Sequence, residues 1–134
     1  MTLEDNKALI RRYLDAWGRG DASALGGLLH PEAVTHVSAV QDEPAPTFEP
    51  EACAAWHEGF SDTSLTIHQL TAEGDRVAVY WTITAAHTAE FVGMPPTQNE
   101  VHFGGLEINR VADGAIVEIW RLSDTQTLMS QLGA

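Results

Sequence analysis

The stretch 101-VHFGGLEINRVADGAIVEIWRLS-123 decides the fold. Two runs rich in β-branched and aromatic residues flank Ala112-Asp113-Gly114, which predicts an antiparallel hairpin. We read a three-residue loop with Gly114 in the left-handed position, so that Val111 faces Ala115, Glu107 faces Ile119 and Arg121 faces Gly105. Alternation then puts Phe103, Gly105, Glu107, Val117, Ile119, Arg121 and Ser123 on one face. His102, Leu106, Ile108, Glu118, Trp120 and Leu122 take the other. A two-residue loop would shift the pairing and move Glu107 to the face of Trp120.

Further strands precede the hairpin. Leu65–Ala72, a turn at Gly74-Asp75 and Arg76–His87 read as a second hairpin, and Phe91–Gln98 as a loop containing Met94-Pro95-Pro96. Val34–Val40 is strand-like, and Gln41–Thr47 reads as a loop. Helices come first. Leu3, Ile10, Tyr13, Leu14 and Trp17 recur at helical spacing over Thr2–Trp17, with Thr2 and Asp5 as a capping box. Gly18-Arg19-Gly20 stops that helix. Asp21 caps another over Ala22–Leu29, and Pro50 opens a third that runs to Phe60. Asp124 caps a closing helix that ends at Leu132. The order predicts an α+β fold, with helices packed on one face of a curved antiparallel sheet and a pocket between the layers.

The chain has 134 residues, the length of one domain, here spanning 1–134. Nineteen Asp and Glu against seven Lys and Arg give a net charge of -12, which disfavours nucleic acid and anionic membranes as partners. Cys53 is single, so no internal disulfide or Cys-x-x-Cys site is possible. The charged N-terminus lacks a signal-peptide pattern, and no run is long and apolar enough to span a bilayer. A cytoplasmic location is expected. No His spacing suggests a metal site.

The segments NKALIRRYLDAWGRGD, GDRVAVYWTITAAHTAEFVGMPPT and DGAIVEIW together resemble the SnoaL-like polyketide cyclase family. That family lies in the nuclear-transport-factor-like superfamily, with ketosteroid isomerases and limonene epoxide hydrolases. The resemblance implies a conical barrel with a deep apolar pocket, a homodimer through the outer sheet face, and no metal or organic cofactor. It implies aldol cyclisation, or a related isomerisation, of an apolar polycyclic ketone. It also selects the Glu107 face as the pocket, because ketosteroid isomerases carry a carboxylic acid near that place. Glu107 is then either an acid–base group or a structural acid paired with Arg121. Family members read His-Trp-Asp where this chain reads Ile119-Trp120-Arg121. Arg cannot serve as a general base, but it can hold a carboxylate, stabilise an enolate, or pair with Glu107.

His36 is a third candidate for proton transfer, with its side of the strand left open. Trp17, Trp56, Phe60, Tyr80, Thr82, Phe103 and Ile119 are expected to contact the substrate. Trp81 and Trp120 are expected on the outer face, and the Met94 loop at the pocket mouth. The alternative is a non-catalytic dimeric module that binds a small apolar metabolite.

Overall fold

A computed structural model describes residues 2–38, 40 and 43–133. Ala39, Gln41 and Asp42, within the expected strand end and loop, lie outside the described residues, as do Met1 and Ala134. Helix α1 spans Leu3–Arg19, closed at its start by the reciprocal Thr2–Asp5 capping box and at its end by Gly20 in the left-handed conformation. It buries Leu9, Ile10, Tyr13 and Leu14, whereas Leu3 is exposed. Helix α2 (Ala22–Leu28) is capped by Asp21, whose Oδ1 accepts from Ala24 N at 3.1 Å. Helix α3 (Glu49–Gly59) has Pro50 in its first turn, where no N–H is needed. Helix α4 (Thr125–Gln131) is capped by Asp124, which accepts from the Thr127 amide at 3.1 Å. The Thr127 hydroxyl foremost, and then that amide, hold the Asp124 carboxyl below its ordinary value.

Among the described residues, six strands form one open sheet in the order β2-β1-β6-β5-β4-β3. They are β1 (Leu29–His36), β2 (Ala45–Pro46), β3 (Phe60–Glu73), β4 (Arg76–His87), β5 (Glu100–Ala112) and β6 (Ala115–Ser123). The sheet is mixed rather than wholly antiparallel, because β1 runs parallel to β6. Strand β1 starts five residues before the expected Val34. Its Pro31 sits in the gap between the paired residues Leu29 and Val34, where a missing N–H breaks no ladder bond. Strand β3 starts at Phe60 rather than Leu65. The polar Ser61–Ser64 run that looks like a loop is a bulge, with Asp62 at φ 54°.

The β5–β6 hairpin corrects the expected register. Its loop is the two residues Asp113 and Gly114, at φ 52° and 77°, between paired Ala112 and Ala115. A bulge at Val117 then inserts one residue between the pairs Val111–Ile116 and Arg110–Glu118. From Glu118 onward the ladder is shifted by two, which preserves the expected faces there, whereas Ile116 takes the inner face in place of the expected Val117. Glu107 therefore stands directly opposite Arg121, and Gly105 opposite Ser123. Ile116 and Ile119 are both fully buried, which strict alternation across three positions cannot achieve.

Helices cover one sheet face. The core joins Leu9, Ile10, Tyr13 and Leu14 of α1 to Val77, Val79, Trp81 and Ile83 of β4. No helix among the described residues is long and apolar enough to cross a membrane.

Candidate active site

A cavity of about 180 Å3 lies between the helical layer and the sheet. Trp17 of α1, Trp56 of α3, Trp81 of β4, Phe103 of β5 and Phe91 supply its aromatic walls. Glu107 and Arg121 supply its charged lining. Phe91 reaches the cavity because the chain after β4 folds back on Gly59, whose carbonyl accepts from the amides of Thr88 and Ala89 at 3.1 Å. A Cβ on Gly59 would lie 2.9 Å from Phe91 Cβ, so glycine permits this close approach. Phe91 and Met94 bridge each other in the expected loop.

Glu107 is 3% exposed. Its Oε1 accepts from Trp81 Nε1 at 2.9 Å and from Arg121 Nε at 3.1 Å. Its Oε2 is buried and has no hydrogen-bond partner. The Arg121 guanidinium also donates through Nη1 to Glu49 Oε1, and through Nη2 to the Tyr13 hydroxyl at 3.1 Å. Glu49, 4% exposed, accepts on its other oxygen from Trp17 Nε1 at 3.0 Å. Burial works against the Arg121 charge, but its acidic neighbours, Glu107 foremost, outweigh burial and raise its pKa well above the ordinary value. Burial drives the Tyr13 phenol upward, with the Arg121 charge opposing. One arginine thus ties two buried carboxylates and a buried phenol into a single polar floor.

The indole of Trp81 lies close over Gly105. A Cβ there would fall 2.4 Å from Trp81 Cζ2, so the Trp81–Glu107 bond depends on a glycine. Cys53 is buried near this floor and bonds the Trp17 carbonyl at 3.6 Å. Burial, helped by the charges of Glu49 and Asp21, pushes its thiol up to about 11.

Glu107, Arg121, Trp17, Trp56 and Phe103 of the expected residues meet at this cavity. Phe60 stacks behind Trp56 at 3.8 Å and Ile119 is fully buried in the core; neither is among the cavity-lining residues. Four placements are corrected. His36 lies on the outer face, bonded to Glu118 at 2.7 Å and stacked on Trp120. Tyr80, 38% exposed, stacks on His68 outside the sheet. Thr82, on the same face, bonds His68 Nε2 at 2.8 Å. The expected outer residue Trp81 points inward and is 5% exposed. The cause is alternation: Val77, Val79, Trp81, Ile83 and Ala85 form the more apolar set of β4 and take the core. Trp120 does lie outside, as expected.

Sequence reasoning missed Glu49 and the polar role of Tyr13. Tyr13 was visible only as a member of the apolar face of α1. No local signal marks Glu49, because an acid before a helix-opening proline ordinarily faces water. Among the described residues, no group of three or more His, Cys, Asp or Glu is placed to hold a metal ion.

A profile of the SnoaL-like polyketide cyclase family matches residues 7–132. The chain belongs to that family. Among solved structures it is similar to AclR from Streptomyces galilaeus, provisionally described as a hydroxylase (30% identity, TM-score 0.88, 98% of each chain). It is also similar to TsrD from Streptomyces laurentii (28%, TM-score 0.86, 100% of this chain and 98% of that one). IdmH from Streptomyces antibioticus, provisionally described as a polyketide cyclase, matches at 30% and TM-score 0.78 over 96% of this chain and 99% of its own. No curated protein matches. Arg121, at the position where the resemblance implies an Asp, lines the cavity beside Glu107.

Proposed function

We propose that this SnoaL-like protein is an enzyme that removes a proton from a bound aromatic ketone, with Glu107 as the base and no metal or organic cofactor. One observation carries the reading. Glu107 lines the cavity; its Oε1 is held by two donors, while its Oε2 is buried without a partner. A carboxylate fixed through one oxygen presents the other to the substrate. The α C–H proton passes to Oε2, and its electron pair moves to the carbonyl oxygen as an enolate. In cyclisation the enolate carbon then bonds to a second carbonyl carbon of the same molecule, and the resulting alkoxide recovers the proton from Glu107. Arg121 keeps Glu107 oriented and places positive charge beside the developing anion.

The test is deuterium uptake by 2-tetralone, a bicyclic ketone with an acidic methylene, in heavy water. Wild-type protein should speed incorporation by about 100-fold or more over Glu107→Gln, as mass spectrometry would read. Equal rates would remove Glu107 from the base role and leave a binding module.

The likeness to AclR favours a second reading, hydroxylation of an aromatic ring. It would begin with transfer of a phenolic proton, rather than an α C–H proton, to Glu107, and it would need molecular oxygen and a separate two-electron donor as co-substrates, one oxygen atom entering the ring and the other leaving as water. The outer sheet face exposes Tyr80, Leu106, Ile108 and Leu122 in one apolar patch, which supports a homodimer through that face. Leu106→Asp should then shift the sedimenting species from dimer to monomer; an unchanged profile rejects this interface.

A further inference from the structure

We infer that the cavity encloses one or two fused rings of a neutral, planar ligand that offers an O–H or N–H to Glu107 Oε2, and that it rejects carboxylates. The inference rests on the Glu107 site proposed above and specifies what that site accepts.

Size sets the first limit. The cavity holds about 180 Å3. An apolar cavity of about 150 Å3 is filled by benzene. Sites for drug-sized ligands run to about 300–1,000 Å3. A tetracyclic skeleton therefore exceeds the space: one or two rings fill it, and the further rings of the polycyclic substrate expected from sequence would project from its open side. The aromatic walls favour a flat ligand.

Polarity sets the second limit. Trp17, Trp56 and Trp81 all line the cavity, but their indole N–H groups are already spent on Glu49, Thr63 and Glu107. Three of the five N–H donors of Arg121 are likewise engaged within the protein. Among the cavity-lining side chains, the buried atom without a partner is an acceptor, Glu107 Oε2, on a residue more than nine-tenths buried; the Ser123 hydroxyl and the two remaining Arg121 N–H groups are further polar groups at the lining. A ligand O–H or N–H satisfies Glu107 Oε2. A ligand carbonyl alone leaves it orphaned.

Charge sets the third limit. One guanidinium faces two buried carboxylates, Glu49 and Glu107. The floor thus holds two acidic side chains against one cation, and an incoming carboxylate adds a third acid in a medium that screens poorly. Arg121 is thus unavailable for the role its charge first suggests, that of clamping a substrate carboxylate.

Three probes of one size test this: 2-naphthol, naphthalene and 2-naphthoate at neutral pH. Binding would be read by quenching of the cavity tryptophans and by titration calorimetry. Naphthol should bind at least about tenfold more tightly than naphthalene, and naphthoate most weakly. In Glu107→Gln the naphthol advantage should shrink and naphthoate should gain. Naphthoate matching naphthol in the wild type overturns the inference, as does binding of none of the three. A hydroxylated four-ring analogue that binds far more tightly than naphthol, as enclosure of all its rings would require, overturns the size limit. The wild-type comparison decides the matter even where the variant fails to fold. No turnover is measured, so the preference can survive a failed deuterium-exchange experiment, and the exchange can survive a failed preference.

Discussion

Strands β5 and β6 carry two cross-strand Glu–Arg pairs, one on each face of the sheet. Outside, Arg110 stands opposite Glu118; inside, Glu107 stands opposite Arg121. The outer pair is saturated. Glu118 Oε1 accepts from Arg110 Nε at 3.1 Å and Nη2 at 3.0 Å, and its Oε2 meets His36 at 2.7 Å. The inner pair is not: its arginine is shared with Glu49 and Tyr13, and one oxygen of Glu107 is left bare. The same residue types, directly opposed across the same two strands, therefore make a surface brace on one face and a reactive floor on the other. Burial and an uneven count of donors separate the two.

Arg121→Met should break this contrast most severely. It leaves Glu49 and Glu107 buried without their cation, and removing one partner of a buried ion pair costs about 3–5 kcal/mol. For a domain of this length, that corresponds to a fall in Tm of about 10–20 °C. Arg110→Met on the outer face should cost only about 0–1 kcal/mol, since Arg110 keeps a third of its side-chain surface in water. Urea unfolding of the two variants would measure both. Losses of equal size would mean that the inner network is no more than a second brace.

Gly105→Ala sharpens the comparison without touching a charge. The added methyl lies 2.4 Å from the Trp81 ring, so the indole must swing and its N–H must leave Glu107. Overpacking of this kind costs about 1–3 kcal/mol. Deuterium exchange should fall along with stability, and tryptophan emission should shift as the ring moves. Full exchange activity in a protein with displaced Trp81 emission would show that Glu107 needs only Arg121 to hold it.

The order of elements was legible from patterning and the shared face of Glu107 and Arg121 from alternation, while the choice of that face as the pocket came from the family resemblance. The route to that shared face was not legible. Asp113-Gly114 is a two-residue turn, and only the bulge at Val117 returns Arg121 to the inner face. The spacing of Ile116 and Ile119 held the clue, since both are core residues three positions apart. Trp81 was misplaced although the other residues of its parity, Val77, Val79 and Ile83, already named the inner set of β4. Glu49 was beyond reach because its burial depends on Arg121, a partner distant in sequence.

The smallest effect concerns the pH response of the outer pair. Burial raises the Glu118 carboxyl, but hydrogen bonds from His36 and Arg110 outweigh burial and hold it below its ordinary value of 4.5. A carboxyl depressed in the folded state stabilises the fold above its unfolded pKa, and the gain disappears as pH falls through the folded value. The stability difference between wild type and Glu118→Gln should therefore be about 0–1 kcal/mol at neutral pH and shrink below pH 4.5. Denaturant titrations across that range would follow it. A difference that persists in acid would mean that Glu118 acts through packing against Trp120 and β1 rather than through its charge, and the outer face would then be held by shape instead of by an ion pair.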